Sequence, residues 1–407
     1  PITMANVLAT TAVVAKESLA VLKNMLSFSA NVNRDWEDEF TENKSRGYAP
    51  GQTINIKRPP RYQYRAGRVA VPQGTVQNTV PLTLQQGGCD LQFTSNERTL
   101  SLDKLSDKLQ AAMAEVTNEI DRQGLALAHY STFNTLNPTG AMPNTQDLSI
   151  GAMTDLNARL DEMGAPRVPG SRTLISAPRL NGNLVRGMAG LFNPNGTIGK
   201  QNNNGMQVPS FGLNVGMDQN VDTHTNGTQV VTGTAVNGAN QTGALINVAA
   251  LGGTITRGTI ITWPGVFAVN PKTRNSTGVL AQFVVTADLA AGATAIPVSP
   301  ALVTNGAFQN VTASPTNGQN FLIVGAASTS YQTNIAYHKD AFTLAMVPMA
   351  TPQAGSGATA HQETSDGFTV KVTEFYDGTN DVSIMRLDVL FGWAATYPEL
   401  SAKYYTT

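Results

Sequence analysis

Five cations fall within twelve residues of this chain, and no acid accompanies them. Lys57, Arg58, Arg61, Arg65 and Arg68 lie in the stretch 47–89, which holds not one carboxylate. Guanidiniums so placed can bind phosphates, or carboxylates through paired parallel hydrogen bonds. Tyr48, Tyr62 and Tyr64 are interleaved with them, as stacking groups are on single-stranded nucleic-acid surfaces. A solvated hairpin is the bland reading, and contact with the carboxylates of a neighbouring copy is the third. Pro59, Pro60, Pro72 and Pro81 mark both arms. Proline cannot donate to a strand ladder, which argues against a groove-reading ribbon and for protein contact. The acidic run 35–42, with Asp35, Glu37, Asp38 and Glu39, is a chemically suitable target.

Other chemistry does not assemble. His129, His224, His338 and His361 have no metal-ligand spacing to one another or to a cysteine. They read as structural or surface residues, and His129 ends a helix, where an imidazolium is favourable. Gly199-Lys200 is followed by Gln201, and Pro194 stands where a phosphate-binding loop needs its first glycine. Gly355-Ser356-Gly357 lacks a third glycine, and Asp161-Glu162 reads as an exposed helix pair. Asp366, Asp377 and Asp381 flank turns and read as turn formers. Cys89 is the sole cysteine, which excludes an intramolecular disulfide and fits a reducing compartment. No catalytic residue, metal site or cofactor is assigned.

The cations need elements to carry them. Gln52–Arg58 and Val76–Leu84 read as strands, the second with Val76, Val80, Leu82 and Leu84 on one face. Together they predict a long two-stranded ribbon, marginal by itself and in need of a surface to lie on. Before it, Ala5–Phe28 reads as an amphipathic helix and Arg34–Arg46 as a charged connector. After it, Ser101–Tyr130 is the strongest helix: Leu102, Leu105, Leu109, Met113, Val116 and Ile120 recur at three- and four-residue steps. Ser101 serves as N-cap, and Gly124 is a point where the helix could weaken or end.

A mixed region follows, with helices at Met153–Met163 and Ala177–Met188 around a buried strand at Thr173–Ser176. Phe192–Phe211 reads as loop. Between Asp222 and Asn334 only Asp222, Arg257, Lys272, Arg274 and Asp288 are charged. Strands are expected there at Gln229–Thr234, Leu245–Ala249, Ile260–Trp263, Gln282–Thr286, Ala295–Val298 and Phe321–Val324, an all-β module set into a mixed domain. Ala341–Val347 is a further strand, and Phe368–Tyr376 with Val382–Trp393 forms a hairpin about Asp377–Asn380.

Composition agrees with a β-rich assembly component. Of 407 residues only 14% are charged, well below the roughly 25% usual for soluble domains. Net charge is −1, whereas proteins that grip nucleic acid are generally basic. No apolar run reaches a membrane span, and Pro1–Ala20, interrupted by Lys16 and Glu17, is not read as a secretory signal.

The order of arm, hairpin, long helix, mixed domain, β-module and closing strands resembles the major capsid protein of tailed double-stranded-DNA bacteriophages, with the Hong Kong ninety-seven fold. It is most similar to the coat proteins of the Salmonella short-tailed phage type. Thr256-Arg-Gly-Thr-Ile-Ile-Thr-Trp-Pro-Gly-Val266 resembles that family's insertion-domain strand, and Tyr337-His-Lys-Asp-Ala341 the segment leaving the insertion. Leu390-Phe-Gly-Trp-Ala-Ala-Thr-Tyr-Pro-Glu399 resembles the closing strand.

The resemblance implies an α+β fold: N-terminal arm (1–46), extended loop (47–88) and peripheral domain with spine helix (89–150). It continues with an axial domain (151–221 and 335–361), an inserted β-domain (222–334) and a closing segment of the peripheral domain (362–407). It also implies self-assembly into an icosahedral shell around phage DNA, contacted non-specifically, in the host cytoplasm. Lys57, Arg58, Arg61, Arg65, Arg68, Asp35, Glu37, Asp38 and Glu39 would be intersubunit contacts. A scaffolding protein, a portal and a decoration protein are further partners expected of the family, and no membrane is. The alternative is a β-rich binding or adhesin-type protein, which the long amphipathic helix weighs against. An enzyme whose site is built from distant residues has no support.

Overall fold

A computed structural model describes residues 14–20, 26–35, 53–95, 105–136, 150–188, 212–230, 232–353, 357–365 and 368–406. The chain divides into two compact units, 1–56 with 80–124 and 343–394, and 57–79 with 125–342 and 395–407. The acidic positions Glu37, Asp38 and Glu39, the expected cap Ser101 and the loop Phe192–Phe211 lie outside the described residues.

The first unit is built on an antiparallel sheet whose longest strand is β17 (Val382–Ala394). β3 (Gln85–Thr94) runs along one edge of β17. β16 (Phe368–Asp377) and β14 (Thr343–Met346) share the other edge in succession. β15 (Ala358–Ser365) extends the sheet beyond β16; its polar sequence gave no strand alternation to read. The expected hairpin turn is present, with Asp377 accepting from the Thr379 N–H and from Asn380 Nδ2.

The long helix α1 (Leu105–Ser131) passes through Gly124 without ending. Met113, Val116 and Ile120 are buried, as the periodicity requires. Gly124 is a point of close approach. A Cβ there would lie 2.5 Å from the Trp393 ring and 2.8 Å from that of Phe28. Trp393 Nε1 donates to the Ile120 carbonyl at 3.2 Å.

The N-terminal segment is helical over 14–20, but 26–28 are not helical and Ser29–Asn31 form a 3-10 turn, so the expected helix to Phe28 stops short. The cause is Asp121 on α1, which is 2% exposed. Its carboxylate accepts the backbone N–H groups of Ser27 (2.8 Å), Phe28 (3.3 Å) and Ser29 (3.0 Å), which therefore do not serve a helical ladder. The Leu344 N–H then donates to the Asn33 carbonyl, and the Arg34 guanidinium lies 3.5 Å over the Phe368 ring.

In the second unit, β4 (Arg172–Ser176) pairs in parallel with β5 (Asn214–Met217) and antiparallel with β13 (Ser330–His338). β18 (Ser401–Thr406) takes the opposite edge of β13. The closing segment 362–407 is thus divided, with β16 and β17 in the first unit and β18 in the second. Helices α2 (Ile150–Glu162) and α3 (Pro178–Met188) cover this sheet through Leu156, Leu160, Leu180 and Leu184. Asp161 is not a free surface acid: it bonds Arg172 and Arg167, both at 2.6 Å.

The inserted module is a six-stranded antiparallel barrel. Its strand order is β7 (Thr232–Ala235), β12 (Asn320–Ile323), β9 (Ile260–Val269), β10 (Ser276–Val285), β11 (Ala295–Leu302) and β8 (Gly243–Asn247). The outer strands meet through the Val236–Val248 bridge and the bond from the Ala249 N–H to the Ala235 carbonyl, which leaves no open edge. Each expected strand is present, though β9 and β10 run longer than the sequence suggested and β7 starts at Thr232. Trp263, Phe283 and Phe321 fill the interior.

Candidate intersubunit surface

The hairpin is a short ladder carrying a long irregular loop. β1 (Thr53–Lys57) and β2 (Thr79–Thr83) form a two-stranded sheet, and residues 58–78 contain no strand, contrary to the expected long ribbon. The prolines explain the difference, since Pro59, Pro60 and Pro72 have no N–H to give a ladder. The base of the hairpin is well seated: Ile54, Ile56, Leu82 and Leu84 pack on Ala345 and Ala394. Gly392 admits it, because a Cβ there would meet the Thr83 carbonyl oxygen at 2.4 Å. Val76 does not share that face and is 56% exposed.

Side chains tie the arms where the ladder stops. The Gln63 N–H donates to Gln73 Oε1 and Gln73 Nε2 to the Gln63 carbonyl, both at 2.7 Å. Tyr62 Oη and Thr75 Oγ1 are 3.0 Å apart. Arg65 donates to the carbonyls of Gly67 and Val69, closing the tip.

The cations separate into two sets. Arg58 and Arg61 both bond Glu399, Arg61 at 3.2 Å, and their guanidiniums stand over Tyr397 (4.8 Å) and Phe308 (5.8 Å). The chain therefore supplies a carboxylate of its own to these two. Lys57, Arg65 and Arg68 have no ion pair among the described residues, and Asp35 is exposed. Beside these three cations stands an apolar surface: Tyr62, Tyr64, Val69, Val71 and Val76 are between 52% and 92% exposed. They make up five of the ten large hydrophobics exposed among the described residues, so the loop is where apolar surface is left uncovered.

A second polar cluster lies where the barrel joins the mixed sheet. His129 Nδ1 is 2.6 Å from Asp222 Oδ2, and the His129 and His224 rings meet edge to face with centroids 5.0 Å apart. β6 (Thr223–Thr225) carries His224, whose Nε2 lies 3.2 Å from Thr259 Oγ1. Lys403 is fully enclosed and its Nζ donates to the Gly258 carbonyl at 3.3 Å. Burial, with Lys403 nearby, takes His129 down to about 4 despite the Asp222 bond; burial and His129 take His224 down to about 3. Burial takes Lys403 down to about 7, against the pull of Asp222. Burial works to raise Asp222, but the bond from His129 holds it below the ordinary carboxylate value.

His129 is thus a buried, neutral structural residue, and not the imidazolium that a helix end favours. Nδ1–H faces Asp222, and the bare Nε2 has no partner among the described residues and packs against Gly258, whose φ of +93° and missing Cβ make the room. Among the described residues no cluster of histidine, cysteine or carboxylate residues could hold a metal ion, and no helix is long and apolar enough to cross a membrane.

The structure brings Arg58 and Arg61 together on Glu399, a partner 341 residues away for Arg58 that no local pattern marks. Asp121, Asp222 and Lys403 were equally invisible as a set. Asp121 stands between Glu119 and Arg122, Asp222 in a polar stretch after Asp218, and Lys403 four residues after Glu399, so no local pattern distinguishes them.

A family model described as "P22 coat protein - gene protein 5" matches residues 195–402, just over half of the chain. Among solved structures, one titled "Mycobacterium phage Che8" shares the fold, with a TM-score of 0.50 and 11% identity over 93% of this chain and 90% of that one. "Capsid structure of the Cyanophage P-SCSP1u" follows with a TM-score of 0.42 and 10% identity, covering 88% and 84%. "Asymmetric unit of bacteriophage PhiM1 mature capsid" has a TM-score of 0.42 and 10% identity, covering 88% and 82%. No curated protein matches the chain.

Proposed function

This chain belongs to the P22 coat protein family, a structural major capsid protein that assembles with copies of itself into the shell of a virion; on that premise we propose how its surfaces serve the shell. The loop 58–78 lies on a neighbouring subunit. Tyr64, Val69, Val71 and Val76 are covered there, and Lys57, Arg65 and Arg68 meet that neighbour's carboxylates. The observation that carries this reading is the concentration of exposed apolar side chains on a loop without acids. Burial of such side chains contributes roughly 25 cal/mol per Å² of apolar surface, repeated at each copy, so stability is a property of the assembly.

The shell encloses double-stranded DNA and contacts it without sequence preference, which the near-zero net charge suits. Assembly takes place in the host cytoplasm with a scaffolding protein and a portal, and catalysis has no part in it. The adhesin alternative has no support from the family match. Negative-stain microscopy of the chain co-expressed with its phage's scaffolding protein tests the reading. Closed shells are the expected result, and a chain that stays monomeric under those conditions overturns it.

A further inference from the structure

A cavity of about 440 Å³ opens beside the arginine loop, lined also by barrel strands and by the segment 397–399. Three guanidiniums line it, those of Arg58, Arg61 and Arg159, against the one carboxylate of Glu399. Arg159 on α2 is only 5% exposed. Its Nη1 bonds Glu162 at 2.8 Å, but Nη2 reaches Asn134 Oδ1 and Gln282 Oε1 at 3.2 and 3.4 Å, long for a charged donor. Its Nε has no partner among the described residues. Burial holds Arg159 below the ordinary arginine value, against the bond and charge of Glu162. Phe133, Met163, Phe283 and Phe308 supply apolar wall. The cavity therefore suits a carboxylate joined to an aromatic or aliphatic body. A phosphate would satisfy the guanidiniums and leave that wall unused.

The chain itself contains such a segment. Asp35-Trp36-Glu37-Asp38-Glu39-Phe40-Thr41-Glu42 holds five carboxylates and two aromatic rings with no cation. We propose that the cavity receives the acidic–aromatic segment 35–42 of a second copy of this chain, a carboxylate meeting Arg159 and an aromatic side chain meeting the apolar wall. The volume falls in the range of small-ligand pockets, roughly 300–1,000 Å³, room for a few side chains of the segment. The proposal rests on the capsid reading and adds to it a specific lock between subunits, separate from the exposed loop tip.

A fluorophore-labelled peptide spanning residues 33–44 is titrated with the unassembled full-length chain and followed by anisotropy. Saturable binding is expected. Glu→Gln changes at 37, 39 and 42, or Trp36→Ala, should each weaken it about tenfold or more, a change of about 1.4 kcal/mol. Arg159→Met in the receptor should do the same. Arg61→Glu, a partly exposed position, serves as the second variant should Arg159→Met fail to fold by circular dichroism. Equal binding of the neutralised peptide, or its displacement by inorganic phosphate alone, overturns the proposal.

Mixing separates the two chains. Subunits neutralised at 37, 39 and 42, and subunits carrying Arg61→Glu, should each polymerise poorly alone and recover in part when mixed. A mixture as inactive as its parts means that the segment serves its own chain and overturns the second-copy assignment. Failure of the peptide to bind wild-type chain that itself forms shells sinks this proposal and leaves the capsid reading standing. Absence of wild-type shells sinks both.

Discussion

Lys403 is enclosed on β18 with two neutral histidines and one carboxylate as its titratable company, and its protonation sets a pH dependence. In the folded chain Lys403 titrates near 7 and His129 and His224 near 4 and 3, against 10.5 and 6.5 ordinarily. All three are lowered, so the unfolded chain binds more protons between the two values and stability rises with pH there. Unfolding free energy of the monomer should therefore climb from about pH 4 to 6.5, as both histidines discharge when unfolded. It should climb again from about 7 to 10 through Lys403. Urea titrations across this range test it. Lys403→Met should flatten the upper rise and reduce the lower one, since the Lys403 charge helps hold both histidines down, and an unchanged upper slope would show that Lys403 is not the group responsible. Asp121 is the opposite case, a buried acid that is fully used. Asp121→Ala would leave three backbone donors of the arm without their acceptor and should lower monomer stability by about 2–4 kcal/mol, read from urea midpoints.

At the scale of elements, glycines decide where helices and strands can touch. On helix propensity alone, Gly124→Ala in α1 should stabilise by about 1 kcal/mol. The Trp393 and Phe28 rings at 2.5 and 2.8 Å from the added Cβ reverse that sign. A net loss of about 1–3 kcal/mol is expected, as for overpacked cores, and a raised melting temperature would contradict the packing described. The barrel makes a second element-scale prediction. Its entry and exit are bonded to each other, with Ser328 N–H on the Gly227 carbonyl and Asn226 N–H on that of Thr329. Its strands close without an edge around an aromatic interior. A fragment spanning 226–329 should fold by itself with a cooperative thermal transition, and a broad, non-cooperative one would show that the barrel depends on its host sheet.

For the whole molecule, the two sets of cations predict different defects. Arg58 and Arg61 hold Glu399 within the chain, so reversing them perturbs the subunit as well as any contact. Arg65 and Arg68 stand on the exposed loop without ion pairs among the described residues. The double change Arg65→Glu and Arg68→Glu should leave monomer unfolding within about 0.5 kcal/mol of wild type while suppressing shell formation, followed by light scattering. Normal shells from that variant would remove the loop's charges from the assembly mechanism.

The linear order of the chain fixed what short-range physics can fix. Apolar steps of three and four placed α1, and alternation between turn residues placed the barrel strands and the β16–β17 hairpin, because those patterns report which side of an element meets a core. The acid-free run of cations likewise stood out by itself in the sequence. The pairing of Arg58 and Arg61 with Glu399, and of Asp121 with the arm, was decided only by tertiary structure, as was the burial of His129 and Lys403. Each depends on residues far apart in sequence meeting in an apolar setting, where a charge that finds its partner is held and one that does not must shift its protonation. No local pattern encodes that meeting.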